Sequence, residues 1–329
     1  MNLHKEYDVQ CKPNASIFDY IFVLRPTLFF PVWTVFLAGY LVQLHAANFS
    51  MSHVLAIPTG WSPMKWHHLF LGGMLTLLLG GAFIINQIAD VENDRQNHKL
   101  FLIANGHIST RAAMWEAGFL IGISVAGAFY YSVTQGSLFL TLFLVSGIFY
   151  SMKPFAWKDR PIMGLITNAC AGFIVFFIGW AVYRPLTLSA LYSAIPYVLA
   201  ISSVYLCTTL PDIKGDKSTG KITFGVKYDF KVTIFLALIL EFSTCLIAFW
   251  LKDWLIFVPA IISLPFFILA TVKRQMRYVF RAIKIPIFLL SMAICWKCPI
   301  YFLFILIVFF FSRWYYRSRF NLKYPSFSV

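Results

Sequence analysis

Long apolar runs, separated by short polar segments, fill almost the whole chain. Runs long enough to cross a bilayer as helices occupy residues 27–45, 67–88, 112–131, 135–151, 163–184, 187–210, 231–251 and 254–272. A further run, 284–314, is longer than one crossing needs and is interrupted by Lys297-Cys298-Pro299. The runs are continuously apolar and lack the alternation of barrel strands. The pattern predicts an all-α polytopic membrane protein with about nine transmembrane helices, or ten if the last run forms two.

Composition supports the same class of protein. Hydrophobic residues make up 60% of the 329 positions and charged residues only 12%, too few to cover the core of a soluble protein. The first twenty residues are polar and lack the apolar stretch and cleavage site of a signal peptide. We therefore expect a cytoplasmic N-terminal segment at residues 1–20, a transmembrane domain at 21–315 and a basic C-terminal tail at 316–329.

Basic residues are concentrated in the loops on one side of the predicted helices. If the N-terminus is cytoplasmic, the outward loops hold only Lys65, Arg184 and Lys252. The positive-inside rule then predicts a multi-pass protein of the cell membrane with a cytoplasmic N-terminus. The basic tail favours the same side, and hence an even number of crossings. This bias, together with attraction to anionic lipid, explains the net charge of +14 without nucleic-acid binding.

Two ladders of polar residues close apolar runs on that side. Asn86, Asp90 and Asp94 are spaced by four, which places them on one stripe of a helix, and Asp212 and Asp216 repeat the spacing later. Amide and carboxylate oxygens suit Mg²⁺, which prefers oxygen ligands and usually keeps phosphate oxygens in its shell. The ladders predict two opposing sets of ligands that hold metal ions and a diphosphate.

The alternative is that these residues simply end helices in water. Their distribution argues against it, because seven of the thirteen acidic residues fall in or beside three inward loops, namely Asp90, Glu92, Asp94, Asp159, Asp212, Asp216 and Asp229. A solvated surface does not predict two equally spaced pairs. The ladders therefore favour a functional site.

At the ladders the sequence resembles the UbiA superfamily of intramembrane prenyltransferases. Residues 86–94, NQIADVEND, resemble its first aspartate-rich motif, and residues 211–221, PDIKGDKSTGK, resemble the second. Other matching positions are Arg25-Pro26, the segment Asn105-Gly106-His107-Ile108-Ser109, and Tyr150-Ser151 with Pro154 and Lys158. Each motif alone is weak, but the two in order at the ends of the second and sixth helices are specific. The resemblance covers roughly residues 20–315.

The resemblance implies helices ringed around a central cavity, with a polyprenyl diphosphate head group at the aspartates and its tail in an apolar channel. It implies Mg²⁺ as cofactor and attack by a lipophilic acceptor, often an aromatic ring, on the prenyl group. By motif match the metal ligands are Asn86, Asp90, Asp94, Asp212 and Asp216, and the diphosphate-binding residues are Arg25, Asn86, Lys99, Lys158 and Lys221. The residues expected to be catalytic are Asp90, Asp212, Tyr150 and Lys158.

Some positions depart from the family pattern. Phe101-Leu102-Ile103 stands where an Arg-Pro-Leu type segment is usual, so one phosphate-binding arginine is missing. Thr209 replaces a carboxylate that many members carry before the second motif. The spacing between Tyr150 and Lys158 is also unusual. These departures affect the prediction of the acceptor more than the prediction of the donor chemistry.

Two other functions remain open from the sequence. The same fold could use a polyprenyl phosphate as acceptor and a phosphoribosyl diphosphate as donor. In a different class, the aspartates could form the translocation site of a cation or organic-anion transporter, although such sites usually lie near the bilayer midplane. Glu241, inside the seventh predicted span, adds a carboxyl that should be neutral, paired or functional.

Overall fold

The computed structural model describes residues 15–45, 65–96, 101–322 and 324–325, and this part of the chain is helical. Its helices are α1 (Ile17–Phe22), α2 (Phe29–His45), α3 (Trp66–Ala89), α4 (Val91–Gln96), α5 (Phe101–Ala104), α6 (Thr110–Tyr131), α7 (Val133–Phe143), α8 (Pro161–Trp180), α9 (Leu188–Thr208), α10 (Ile213–Ser218), α11 (Phe224–Trp250), α12 (Trp254–Lys273), α13 (Met276–Lys297) and α14 (Pro299–Phe320). Short 3₁₀ turns occur at Pro26–Leu28 and Trp157–Asp159, and a π-helical segment, Leu144–Phe149, extends α7.

The polytopic all-α class is confirmed. Among the described residues, nine helical segments are long and apolar enough to cross a membrane, and Val133–Phe149 is a shorter apolar helix between two of them. The interrupted run near the C-terminus forms two helices, α13 and α14, which meet at Cys298-Pro299, and Pro299 takes the first position of the new helix, where its missing N–H costs nothing. Counting the shorter helix, the described part of the chain has ten apolar helices.

The first and last of these helices meet at one end of the bundle. Asp19 on α1 is fully buried, and it accepts hydrogen bonds from the Tyr315 hydroxyl at 2.7 Å and from the Arg319 guanidinium at 3.2 Å. The ring of Tyr315 also stacks on Phe22, with centroids 3.8 Å apart. The helical chain thus starts and finishes on the same side, as the basic residues of the tail favour. Helix α14 continues to Phe320, past the predicted start of that tail.

Successive long helices pack against their neighbours, and α13 returns to contact α2. Helices α2 and α8 cross inside this arrangement, where a Cβ at Gly39 would overlap the Phe176 carbonyl oxygen and one at Gly179 the Phe36 carbonyl oxygen. Small residues allow such close contact between helices in membranes. Two cavities of 420 and 390 Å³ lie beside the crossing and share six lining residues, so they adjoin each other, and we call them the first and second lobes of the cavity.

Substitution of Gly39 or Gly179 by alanine should destabilise the fold by about 1–3 kcal/mol, because the added methyl group would meet backbone rather than a movable side chain. Gly118→Ala and Gly122→Ala are matched controls on α6, where an added Cβ meets nothing within 4 Å. Thermal unfolding of the purified proteins in detergent measures the difference. Equal unfolding temperatures for all four variants would contradict the close crossing.

Candidate active site

The first ladder lies at the end of α3. That helix ends at Ala89, and Asp90 leaves helical geometry with φ −104° and ψ 7° before α4 begins at Val91. The expectation of one unbroken helical stripe is therefore wrong. Asp90 and Asp94 still donate backbone hydrogen bonds to Asn86 and Asp90 respectively, at 3.1 and 2.7 Å, which keeps the spacing close to helical. The break turns Asp94 inward, and its side chain is only 7% exposed.

Lys158 connects the two inner residues of this ladder. Its ammonium group donates to the Asn86 amide oxygen at 2.8 Å and forms an ion pair with Asp90 at 2.5 Å. The 3₁₀ turn Trp157–Asp159 presents the lysine, which is 9% exposed. Burial lowers the pKa of the Lys158 ammonium, and the nearby Asp90 carboxylate offsets this only in part. The structure thus brings Lys158 to the first ladder, and its predicted role in binding diphosphate stays a prediction.

Lys221 brings the second motif to the same carboxylate. Its Nζ lies 3.0 Å from Asp90 Oδ1 and 3.8 Å from Asp159 Oδ1. Gly220, at φ +74°, supplies the left-handed turn that directs the chain towards the first motif. Burial alone would lower the pKa of the Lys221 ammonium, but Asp90, Asp159 and Asp216 together raise it above its ordinary value. Lys221 is therefore a charged bridge between the two ladders.

Asp94 and Arg25 form the other side of the site. Arg25 adopts a left-handed conformation, φ +57°, and lines the larger cavity with Asn86 and Tyr150. Asp94 Oδ2 is buried and has no hydrogen-bond partner within the described part of the chain. Burial, with a smaller contribution from the Asp90 charge, raises the pKa of Asp94 to about 6 against the lowering effect of Lys221, Arg25 and Lys158. An unpaired buried carboxylate beside such cations suits a metal ion or a bound phosphate.

The second ladder is more open to solvent. Asp212 is exposed and precedes α10, whereas Asp216 is half-buried and accepts a hydrogen bond from the Thr223 hydroxyl at 2.8 Å. The backbone N–H of Lys221 donates to the Asp216 carbonyl at 2.9 Å, which ties this ladder to the bridging lysine. Asp216 is thus connected to the first ladder through Lys221.

Tyr150 lies where the cavity meets the polar site. It follows directly on the π-helical segment of α7, a distortion that often marks functional positions, and Asn168 on α8 lines the same cavity. The next residue, Ser151, donates to the Asn86 amide oxygen at 3.2 Å. Tyr150 is therefore fixed beside the ladder at the cavity mouth.

The structure adds site residues that the sequence reasoning missed, namely Asp159, Asn168 and Thr223. Asn168 carried a usable signal, since it is a polar residue inside an apolar run. Asp159 and Thr223 sit in polar loops, where nothing in the sequence marks which groups will meet. Lys99, predicted to bind diphosphate, lies outside the described residues.

The predicted metal ligands are not gathered into one cluster. In the described ranges no group of three or more His, Cys, Asp or Glu side chains is close enough to hold a metal ion. Asp90 is neutralised by two lysines instead, and Asp94 keeps an unpaired oxygen. The oxygen donors suit Mg²⁺ chemically, and the full ligand set stays a prediction.

Comparison with known proteins decides the family. The sequence model of the UbiA prenyltransferase family matches residues 46–284, which contain both ladders. The chain belongs to the UbiA prenyltransferase family. The resemblance stated from the two motifs is thereby confirmed.

Curated relatives in this family differ in their acceptors. The 2-acylphloroglucinol 4-prenyltransferase of Humulus lupulus is 30% identical over 181 residues, which cover 50% of this chain and 42% of that enzyme. The digeranylgeranylglyceryl phosphate synthase of Methanosphaera stadtmanae is 25% identical over 183 residues, covering 55% of this chain and 65% of that protein. The matched part spans less than two thirds of either relative.

Solved structures of the family share the fold. A UbiA homolog from Archaeoglobus fulgidus aligns with a TM-score of 0.63 at 16% identity, covering 88% of this chain and 98% of that one. A structure of a UbiA homolog from the same organism bound to GPP and Mg²⁺ aligns with a TM-score of 0.60 at 18% identity, covering 85% and 99%. At these identities the likeness establishes the arrangement of helices.

Asp94→Asn should stabilise the protein at pH 7.5 in the absence of divalent cations, by about 1–3 kcal/mol. With its folded-state pKa raised to about 6 from 3.8, the carboxyl costs stability as the pH rises between these values, and the amide avoids that cost. The gain should therefore shrink at pH 5 and vanish near pH 4. Unfolding midpoints measured with a chelator present check this.

Glu92→Gln is the matched control, because Glu92 is on the same short helix with a side chain 71% exposed. Its effect should stay within about 0.5 kcal/mol at every pH, as is usual for exposed ion pairs. A destabilised Asp94→Asn, or a gain that does not depend on pH, would contradict the burial of an unpaired carboxylate.

Proposed function

We propose that the protein is an Mg²⁺-dependent prenyltransferase that transfers a prenyl group from a polyprenyl diphosphate to an aromatic or other lipophilic acceptor and releases diphosphate. The observation that carries this proposal is the cluster in which Lys158 and Lys221, from separate segments, converge on Asp90 at the mouth of an apolar cavity. Family membership and the named activities of the relatives support the same reaction class.

The donor fits the larger lobe of the cavity. This lobe of 420 Å³ has Arg25, Asn86 and Tyr150 at its polar end, and apolar residues such as Leu79 and Val175 line the rest. A head group held at the polar end would place the first isoprene unit beside Tyr150 and its tail among the apolar side chains. Burial of the tail then supplies binding free energy of about 0.8 kcal/mol per CH₂.

The residues that would hold Mg²⁺ are Asn86, Asp90, Asp94, Asp212 and Asp216. Bound there, the ion would neutralise the charge that grows on the diphosphate as the C–O bond breaks. Arg25, Lys158 and Lys221, with Lys99 by motif match, are the cations for phosphate oxygens. Of these carboxylates, we propose that Asp90 and Asp212 contribute most to catalysis.

The lysines have two tasks in this proposal. In the described structure they neutralise Asp90, so this carboxylate does not stand as an unpaired charge. With diphosphate and cation both bound, Asp90 would be a ligand of the cation, and the ammonium groups of Lys158 and Lys221 would be free to donate to phosphate oxygens. Cation and diphosphate should therefore bind cooperatively, because neither alone satisfies all of these charges.

Bond breaking leaves positive charge on the allylic carbon, which must be shielded from water. The apolar lining of the cavity excludes water, and the ring of Tyr150 lies where it can stabilise or orient the reacting end. The acceptor carbon or heteroatom then forms the new bond and loses its proton.

Sidedness follows from the charge distribution. We propose a multi-pass protein of the cell membrane with its N-terminus and active site in the cytoplasm, because the loops that carry the site are rich in lysine and arginine. The segment 1–20, the transmembrane domain 21–315 and the basic tail 316–329 are the corresponding divisions of the chain.

The two alternatives find less support. A phosphoribosyl donor would need polar groups along the cavity for its sugar, whereas the lobe beside the ladder is mostly apolar below Tyr150. A transporter would need its charged groups near the middle of the membrane. The ladders instead follow the ends of α3 and α9.

The decisive test is incubation of the purified protein with labelled dimethylallyl, geranyl and longer prenyl diphosphates, a panel of lipophilic acceptors and Mg²⁺. We expect diphosphate release that stops on chelation, together with prenylated products in the mass spectrum. Asp90→Asn and Asp212→Asn should each lower kcat by at least about 100-fold, because each removes a carboxylate that would hold the cation neutralising the leaving group.

Glu92→Gln is again the control, because it changes an exposed carboxyl on the same segment and should leave turnover within about twofold. Chelator-sensitive release of diphosphate from a phosphoribosyl donor, and not from the prenyl donors, would favour the first alternative. Cation flux into vesicles without any diphosphate release would favour a transporter.

Lys221→Met separates the two tasks of the lysines. It should raise the KM for the prenyl diphosphate about tenfold by removing a phosphate-binding cation, yet strengthen the binding of Mg²⁺ alone because Asp90 loses a competing partner. Isothermal titration gives the Mg²⁺ affinity, and initial rates give the KM. The control is Lys217→Met, an exposed lysine on the same segment. Weaker binding of Mg²⁺ alone in Lys221→Met would contradict the competition.

A further inference from the structure

The second lobe of the cavity contains a buried carboxyl that the donor does not use. Glu241 on α11 is 0% exposed and lines this 390 Å³ lobe, together with Tyr205 and Thr208 from α9. Within the described part of the chain, neither of its carboxyl oxygens has a hydrogen-bond partner. Ser203 lies beside it, but the Ser203 hydroxyl donates to the Ala237 carbonyl at 3.0 Å.

Such a carboxyl is costly in an apolar lobe. An unpaired polar group buried without water costs several times what an ordinary hydrogen bond contributes, and a charged carboxylate costs more. A hydrocarbon tail placed in this lobe would leave that cost in place. An occupant that carries a hydroxyl or N–H group would remove it by donating to the carboxyl. The lobe is therefore suited to a molecule that is apolar along its length and polar at its inner end.

The linings of the two lobes assign the two substrates to different lobes. Arg25, Asn86 and Tyr150 line the first lobe only, so the diphosphate head group belongs there. The lobes adjoin along Phe83, Asn168 and Ile201, among others, so an occupant of the second lobe would lie next to the first isoprene unit. Ser203, next to Glu241, lies five residues before the end of α9, about 7 Å along the helix axis. One or two fused rings fill that distance.

We propose that the second lobe is the acceptor site and that Glu241 recognises the acceptor by accepting a hydrogen bond from a hydroxyl or N–H group at the end remote from the prenylated atom. This assignment rests on the proposed transferase function and names the class of acceptor: an aromatic or otherwise apolar molecule of about two fused rings with a distal hydrogen-bond donor. It also accounts for a carboxyl whose oxygens have no hydrogen-bond partner among the described residues.

Two isosteric probes test the assignment without requiring turnover. 2-Naphthol and 2-methylnaphthalene differ only by a hydroxyl in place of a methyl group. We expect the ratio of their dissociation constants to favour 2-naphthol in the wild type and to fall about tenfold or more in Glu241→Leu, which keeps the bulk and removes the acceptor. Glu241→Gln should keep most of the preference, because its amide oxygen still accepts a hydrogen bond.

Val204→Ala is the matched control, because Val204 lines the same lobe without a polar group. It should weaken both probes alike and leave their ratio unchanged. Monodispersity and thermal unfolding of each variant show that it is folded. An unchanged ratio in Glu241→Leu, or a wild type that binds neither probe, would overturn the assignment.

Geranyl diphosphate binding by the wild type is measured in parallel, with Mg²⁺ present. It distinguishes a failure of the transferase proposal from a failure of the Glu241 assignment. Its absence would count against the transferase function, whatever the naphthol ratio. Its presence, with no effect of Glu241→Leu on the ratio, would leave the transferase function intact and remove Glu241 from acceptor recognition.

Discussion

The charge on Asp90 holds the polar end of the protein together. This carboxylate is 14% exposed and is paired with Lys158 from the turn before α8 and with Lys221 from the segment after α10. One side chain thus joins three stretches of chain that are far apart in sequence. Removing a partner from such a partly buried pair leaves a charge with little water to solvate it. The arrangement therefore has to be completed by cations, whether these are lysines or metal ions.

The helices were predictable from sequence because the bilayer itself fixes their length and composition. The motifs also indicated which side chains converge, since Lys158 and Lys221 both reach Asp90. The apolar run 67–88 predicted the end of α3 to within one residue, but the break at Asp90 was not predictable, because spacing by four reads as a continuous helix until tertiary contacts bend it. The pairing of Asp159 with Lys221 depends on two loops meeting in space, and no local pattern in either loop carries that information.

The division of the cavity into two lobes depends on a close contact between two helices. The spacing of residues in the sequence could not reveal this contact. Gly39 and Gly179 let α2 and α8 approach until backbone meets backbone, and each glycine looks unremarkable within its own apolar run. With these helices crossing inside the bundle, the space beside them becomes two adjoining lobes. A transferase needs this kind of geometry, because two substrates must meet at one atom while their remaining parts stay separate.

Unpaired buried oxygens then indicate what each region is built to receive. Asp94 and Glu241 both have carboxyl oxygens without a partner among the described residues, but their surroundings differ. Asp94 lies among Arg25, Lys158 and Lys221, where the carboxylate could bind the metal ion of a metal–diphosphate complex and the cations could bind its phosphate oxygens. Glu241 lies in an apolar lobe between helices, where a bare cation would lose its hydration without recovering it. A neutral hydrogen-bond donor attached to an apolar body is therefore the ligand that satisfies Glu241 at the lowest cost.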